Sequence, residues 1–210
     1  MGFQWKDRFT INSIWGTSSN DFYVVGNNGN IAHYDGKNWQ KIESGTTTSL
    51  DDLWGTDDGK TIWACGRDPN NLKSVFVKYE NGACTTLWER DGMVPVPPYG
   101  NGVYSVWMNN QTLYKSTSHG IYMERGTTNI EMPNNKLRYF RVIRGNGGND
   151  LLTIDDQSVW HYNGENWEAL TNDDPNLILF GGSINGNTAV VVGSDFSIGL
   201  GAAMISVGRR

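Results

Sequence analysis

Residues 14–26 read Ile-Trp-Gly-Thr-Ser-Ser-Asn-Asp-Phe-Tyr-Val-Val-Gly. Residues 53–66 repeat this pattern with one inserted residue, as Leu-Trp-Gly-Thr-Asp-Asp-Gly-Lys-Thr-Ile-Trp-Ala-Cys-Gly. Residues 143–150 keep the frame with Arg at the Trp position, and weaker copies begin at Val106 and Phe180. A pattern that recurs about every 40 residues indicates a repeat fold, in which each copy is one supersecondary unit.

A second motif follows the first at a near-constant distance along the chain. It reads His-Tyr-Asp-Gly-Lys-Asn-Trp at residues 33–39 and His-Tyr-Asn-Gly-Glu-Asn-Trp at residues 161–167, with a looser copy at residues 79–82. Asp-Gly and Asn-Gly favour the positive φ angles of tight hairpin turns, and β-rich residues flank them. Each copy therefore contains four strands: one that carries Trp-Gly, one of the Phe-Tyr-Val-Val-Gly type, and two that the Asp-Gly turn connects.

Four antiparallel strands that recur in this way are typical of a β-propeller blade. We predict an all-β protein without helices, whose inner strands begin near residues 11, 50, 103, 140 and 177. One propeller domain then fills residues 1–210, with blades at approximately residues 10–43, 49–90, 101–132, 138–171 and 176–210. The fifth blade lacks an outer strand, and we predict that residues 3–9 supply it and close a five-bladed ring. The alternative is a fragment of a larger propeller with six to eight blades.

The composition of the chain excludes several classes of function. The chain has 210 residues, of which 12% are aromatic, and these demand a buried core rather than a disordered chain. The net charge of −5 provides no basic surface for nucleic acid, and no apolar run is long enough for a membrane-spanning helix. Two cysteines, Cys65 and Cys84, are too few for a disulfide framework or a zinc site. We expect neither a cofactor nor a metal ion.

The two motifs together resemble the repeats of secreted or lipid-anchored bacterial propeller proteins. The resemblance covers nearly the whole chain and is sharpest in the first, second and fourth copies. It implies a propeller fold and an extracellular or cell-surface location, with the periplasm as an alternative, but no activity and no catalytic residue. The first five residues lack the charged and apolar regions of a signal peptide, so export is expected to depend on a leader absent from this chain.

Equivalent residues of the repeats are expected at equivalent heights around a central channel. One such set consists of Trp15, Trp54, Trp107 and Arg144. The other lies three positions earlier and consists of Asn12, Asp51, Tyr104 and Arg141. Indole rings stack on sugar rings, and guanidinium groups pair with carboxylates. These sets predict a site for a glycan or a peptide at the channel mouth, with candidate residues Trp15, Trp54, Trp107, Arg144, Arg141 and Asp51. The alternative is that the tryptophans only pack between blades.

We therefore predict a monomeric, non-enzymatic binding or scaffolding module. A five-bladed glycoside hydrolase or lyase is the enzymatic alternative, but it needs carboxylates from separate blades, and only Asp51 and Asp52 lie near the start of an inner strand. Protein assembly through the Pro-rich residues 93–100 is a further alternative. His33 and His161 occupy the same position in different blades, so they do not predict a shared metal site.

Overall fold

A computed structural model describes the protein at residues 10–68, 72–92, 102–132, 140–171, 173–197 and 201–209. These residues form nineteen β-strands in five antiparallel sheets. Among them, the one helical element is a turn of 3-10 helix at Asn27–Gly29. The fold is a five-bladed β-propeller, which confirms the fold class predicted from the repeats.

The chain divides into two compact units, of which the first is Met1–Gln111. This unit contains the first two blades, with strand orders β1-β2-β3-β4 and β5-β6-β7-β8, and the first strand of the third blade. Its strands are β1 (Ile11–Ser18), β2 (Asp21–Gly26), β3 (Ile31–Tyr34), β4 (Trp39–Ile42), β5 (Asp52–Gly55), β6 (Thr61–Asp68), β7 (Lys73–Glu80), β8 (Ala83–Arg90) and β9 (Val103–Asn109).

The second unit is Thr112–Arg210. Its strands are β10 (Thr112–Thr117), β11 (Gly120–Arg125), β12 (Thr128–Glu131), β13 (Val142–Gly147), β14 (Asp150–Ile154), β15 (Val159–Tyr162), β16 (Trp167–Ala169), β17 (Leu177–Asn185), β18 (Thr188–Asp195) and β19 (Ala202–Arg209). The third, fourth and fifth blades have the orders β12-β11-β10-β9, β13-β14-β15-β16 and β17-β18-β19. The predicted closing strand at residues 3–9 and the Pro-rich residues 93–100 lie outside the described residues.

The Trp-Gly motif and its Arg-Gly equivalent lie in the same register of the first two strands in blades one, two and four. The first strands of the five blades begin at residues 11, 52, 103, 142 and 177, within two residues of the predicted positions. Trp15 pairs with Tyr23, Trp54 pairs with Trp63, and the equivalent Arg144 pairs with Leu152. Equal register in three blades follows from the alternation of apolar residues, since a slip of one residue would turn the core-facing side chains outward.

The Asp-Gly and Asn-Gly motifs form the outer hairpin turns of blades one and four. Oδ1 of Asp35 accepts the backbone N–H groups two and three residues later, at 2.9 and 2.7 Å. Oδ1 of Asn163 accepts the equivalent two groups at 3.0 and 2.9 Å. Gly36 and Gly164 follow with φ of +88° and +99°, in the left-handed region that glycine adopts without strain. The two motifs are therefore structural and terminate the blades.

Each unit contains its own hydrophobic core. In the first unit, buried residues of blades one and two form one cluster, including Val25, Leu50, Leu53 and Val75. In the second unit, blades four and five form another, consisting of Leu152, Ile154, Val159, Leu179, Ile184 and Val191. Full burial of such a side chain contributes about 1.5–3 kcal/mol, so the contact between neighbouring blades stabilises each unit.

Candidate functional site

The three repeated tryptophans lie side by side in the first unit. The ring centroids of Trp15 and Trp54 are 6.1 Å apart, and those of Trp54 and Trp107 are 6.5 Å apart. Trp15 and Trp54 are half-buried, whereas Trp107 is only 3% exposed. The structure thus brings three predicted site residues together, but it leaves very little of the Trp107 indole accessible to a ligand.

The glycine that follows Trp54 explains how Trp15 packs. A Cβ atom on Gly55 would lie 2.5 Å from Cζ3 and 2.6 Å from Cη2 of Trp15. The Trp15 ring therefore fills the space that any other side chain at position 55 would need, and it packs against the core of blades one and two. Trp15 of blade one and Gly55 of blade two thus form a joint between the two blades, which favours the packing role for Trp15.

Two residues before each tryptophan, hydrogen bonds to Asp52 connect three successive first strands. Oγ of Ser13 donates to Oδ1 of Asp52 at 3.1 Å, and Oγ of Ser105 donates to Oδ2 at 2.5 Å. The backbone N–H of Val106 donates to the same Oδ2 at 3.1 Å. Asp52 is 7% exposed, and both of its oxygens accept hydrogen bonds. This carboxylate is therefore a structural acceptor in the interior of the first unit.

Three residues before each tryptophan, the side chains reach the surface. We call the patch formed by Asn12, Asp51, Arg67 and Tyr104 the strand-start surface. Nδ2 of Asn12 donates to the carbonyl of Leu50 at 2.9 Å, and the backbone N–H of Arg67 donates to Oδ2 of Asp51 at 3.1 Å. The guanidinium carbon of Arg67 lies 5.0 Å from the centroid of the Tyr104 ring, which is a cation–π distance. These contacts hold three neighbouring first strands together at this end.

Asp51 differs from its neighbour Asp52 in exposure and in electrostatics. Asp51 is exposed, and Oδ1 has no hydrogen-bond partner among the described residues. Although the residue is exposed, protein atoms crowd its carboxyl group, and this desolvation raises the pKa above the usual aspartate value. The N–H and the charge of Arg67 lower the pKa, and the charge of Asp52 raises it, but desolvation is the largest effect.

The raised pKa makes Asp51 a functional candidate. An acid whose pKa is higher in the folded state destabilises the fold when it is charged, because folding then removes water from a carboxylate without full compensation. Asp51 accepts one hydrogen bond, from the backbone N–H of Arg67, and this bond favours the charged form less than desolvation disfavours it. Residues that reduce stability where they stand are concentrated at functional sites.

The second unit has the reverse arrangement of charges at the same two repeat positions. Arg141 of blade four is equivalent to Asp51 of blade two, and Asp156 is equivalent to Arg67. Nε of Arg141 forms an ion pair with Oδ1 of Asp156. Both side chains are partly exposed, and exposed pairs stabilise a fold by about 1 kcal/mol at most.

Arg144, the counterpart of the tryptophans in blade four, is half-buried in the second unit. Its Nη1 donates to the backbone carbonyl of Ile143 at 2.7 Å. The predicted site residues are therefore divided between the two units: Trp15, Trp54, Trp107 and Asp51 belong to the first, and Arg141 and Arg144 to the second.

The repeated histidines form equivalent contacts in separate blades. Nε2 of His33 lies 2.7 Å from Oδ1 of Asp21, and Nε2 of His161 lies 2.7 Å from Oδ1 of Asp150. Within the described ranges, no three His, Cys, Asp or Glu side chains come together as metal ligands do. The His–Asp pair recurs with the blade and acts as a packing element between its second and third strands.

Sequence reasoning did not select Arg67. The available signal was its position directly after the Cys-Gly that ends the repeat, where blades one and four also have polar residues, Asn27 and Asp156. Its proximity to Tyr104 was not predictable, because the two residues belong to different repeats and only the packing of blades two and three brings them together.

Comparisons with solved structures agree with this fold. The chain resembles the protein in "Crystal structure of Nidogen/Laminin Complex" (TM-score 0.65, 12% identity, 96% of this chain and 81% of that chain). It also resembles the GH74 enzyme of Niastella koreensis (TM-score 0.67, 15% identity, 95% of this chain and 35% of that chain). A third similar structure is "YCF48 bound to D1 peptide" (TM-score 0.61, 12% identity, 91% of this chain and 66% of that chain).

At these identities the likeness is one of fold, and the chain spans between about a third and four fifths of the lengths of these proteins. No protein-family model matches the chain. No curated protein matches it significantly. In the part of the chain that the structure describes, no helix has the length and hydrophobicity to cross a membrane.

Proposed function

We propose that this propeller is a non-enzymatic binding module that captures a peptide or a protein segment on the strand-start surface. The observation that carries the proposal is the pair of adjacent aspartates in blade two. Asp52 is buried and accepts hydrogen bonds through both oxygens, whereas Asp51 is exposed, has no partner for Oδ1 among the described residues, and has a pKa that desolvation raises. A carboxylate in that state is suited to a ligand that donates hydrogen bonds.

Several features favour a peptide over a glycan. The half-buried Trp15 packs against Gly55, and Trp107 is buried, so two of the three indole rings offer little of the face on which sugars stack. The strand-start surface instead offers a carboxylate, a guanidinium group and a phenol ring, which match the side chains and backbone groups of a peptide. The similar YCF48 structure is described as bound to a peptide, and the nidogen structure as a complex with laminin.

The contacts of Asp52 also bear on the hydrolase alternative. Cleavage of a glycosidic bond uses two carboxyl groups on either side of the bond. At this surface Asp52 accepts hydrogen bonds through both oxygens and is buried, so Asp51 is the one carboxylate of the pair that a substrate can reach. We therefore expect no release of reducing ends from polysaccharides.

We also propose that the protein functions outside the cytoplasm of a bacterium, at the cell surface or in the periplasm. The resemblance of its repeats to those of secreted or lipid-anchored propeller proteins supports this location. Fractionation of the cells that produce the natural protein tests it, and recovery in the cytoplasmic fraction alone would contradict it.

The binding function is tested by selection of ligands from a random peptide library displayed on phage, with an array of glycans in parallel. We expect the wild-type chain to enrich peptides, and Asp51→Asn to weaken their binding at least about tenfold, or about 1.4 kcal/mol. Asp57→Asn is the matched control, because it removes the same charge from an exposed turn of the same blade and should bind as the wild type does.

The melting temperature of each variant separates a binding effect from unfolding. Asp51→Asn should melt no lower than the wild type, because it removes a desolvated charge. A chain that enriches no peptide, or an Asp51→Asn variant that binds as tightly as the wild type, would refute the proposal. If the chain captures specific glycans and no peptides, its ligand is a glycan.

A further inference from the structure

We propose that one apolar face of the fifth blade binds the first blade of a second copy of this chain. We call this face, which consists of Val190, Val192, Ile205 and Val207, the terminal face. Val190 pairs with Val207 and Val192 pairs with Ile205, so the four side chains lie on the same side of the sheet. Ile205 is 72% exposed and Val207 is 54% exposed. Adjoining apolar side chains that remain exposed mark an interaction surface.

The opposite face of the same sheet is buried. Its apolar residues, Leu179, Ile184 and Val191, form one core cluster with residues of blade four. Val191 lies between Val190 and Val192 in β18, and successive side chains of a strand point to opposite faces. Blade five therefore has two apolar faces, of which one packs in a joint between blades and the other is exposed.

The register of the strands identifies the residues of blade one that correspond to the terminal face. In both blades, one unpaired residue interrupts the pairing of the first strand with the second. Val25 of blade one and Val192 of blade five pair with the residue that directly follows this interruption. Their partners in the third strand are Ile31 and Ile205. The terminal face is thus equivalent to the face that blade one presents to blade two, where Val25 and Ile31 are buried in the shared core.

The chain also contains the complementary half of such a joint. In blade two, Leu50 and Leu53 belong to the cluster that covers the equivalent face of blade one. They lie four residues and one residue before the repeated tryptophan, and the residues at these positions in blade one are Ile11 and Ile14. Whereas the two leucines are buried, Ile11 is 49% exposed and Ile14 is 63% exposed. Because every copy carries both kinds of face, the terminal face of one copy fits the first blade of another.

Two different faces meet in this contact, so the association is head-to-tail. A pair of copies leaves one face of each kind exposed, and further copies add until a ring closes or a filament grows. The sequence alone predicts a monomer, whereas the exposure of both faces favours self-association. Neither face includes a residue of the strand-start surface, so the inference does not depend on the proposed function.

Sedimentation-velocity ultracentrifugation of the wild-type chain at about 1 μM to 1 mM tests the association, and we expect the mean mass to rise with concentration. Ile205→Asp and Ile14→Asp should each weaken self-association at least about tenfold, because each places a carboxylate in an apolar contact. Ile130→Asp is the matched control and should associate as the wild type does. Ile130 is 52% exposed in β12 of blade three, outside both faces.

A mixture of the two joint variants distinguishes a head-to-tail contact from a symmetric one. Ile205→Asp retains an intact first blade and Ile14→Asp an intact terminal face, so the mixture should form a heterodimer with the affinity of the wild-type contact. A mixture that does not associate although the wild type does would overturn the inference. So would a wild type that stays monomeric at every concentration. In such a monomer, a lower melting temperature of Ile205→Asp would assign the terminal face to a contact within one chain.

Discussion

Replacement of Asp52 by Ala should destabilise the first unit far more than the same replacement at Asp51. In the native protein, Asp52 accepts hydrogen bonds from Oγ of Ser105 at 2.5 Å, from the N–H of Val106 at 3.1 Å and from Oγ of Ser13 at 3.1 Å. The Ser105 and Val106 donors are buried and would lose their acceptor, at a cost of about 1–3 kcal/mol each. Removal of a buried charge partly offsets this loss.

We therefore expect Asp52→Ala to lower the free energy of unfolding by about 2–4 kcal/mol, of which the two buried donors account for most. For a chain of this size, the melting temperature should fall by roughly 4–16 °C. Thermal unfolding followed by circular dichroism measures the shift. Asp51→Ala is the matched control, and it should change the melting temperature by about 2 °C or less, because it loses one exposed hydrogen bond and a desolvated charge.

A double-mutant cycle tests whether the contact itself is responsible. Ser105→Ala should cost less than half as much in the Asp52→Ala background as in the wild type, because the two side chains are in direct contact. Equal melting temperatures for Asp52→Ala and Asp51→Ala would refute the reasoning. So would full additivity of Asp52→Ala and Ser105→Ala, since it would mean that the hydrogen bond makes no contribution.

Two further predictions concern packing and pH. Gly55→Ala should cost about 1–3 kcal/mol in chemical denaturation, because the new Cβ would collide with Trp15 of the neighbouring blade and with Ile62. Gly208→Ala, which has open space around it, should cost about 0.5 kcal/mol or less, and similar costs for both would contradict the joint between blades. Burial raises the pKa of Tyr23 from 10.0 to about 12, so the unfolded chain ionises first, and the stability that neutral Tyr23 provides below pH 10 should disappear as the pH rises to about 12. Unfolding measured across this range should be less sensitive to alkali in Tyr23→Phe, and an unchanged pH profile would count against a buried phenol.

The charge reversal between blades two and four illustrates how far the repeats have diverged. Asp51 and Arg67 occupy the positions that Arg141 and Asp156 occupy in the other unit. In blade four the two side chains form an ion pair directly, whereas in blade two the carboxylate contacts the backbone of Arg67 and the guanidinium group lies over Tyr104. The same pair of positions therefore forms an ion pair in blade four and leaves an exposed carboxylate in blade two.

The fold of this protein was predictable from its sequence because its signals are local and repeated. The alternation around Trp15 and Trp54 determines the first two strands of a blade, and Asp35-Gly36 and Asn163-Gly164 determine the outer turns through hydrogen bonds within three residues. Five copies of such signals are sufficient to predict five blades, since each copy forms its sheet from residues that are close in the chain.

The division of roles within the candidate site depended on the tertiary structure. In the sequence, Asp51 and Asp52 are two adjacent acids with no visible difference, and Trp15 and Trp107 are equivalent members of one repeat. Their environments differ because their contacts come from other blades: Asp52 meets Ser105, Trp15 meets Gly55, and Arg67 meets Tyr104. Burial and desolvation depend on neighbours 37 to 53 residues away along the chain, and only the packing of one blade on the next decides which carboxylate is buried and which is left for a ligand.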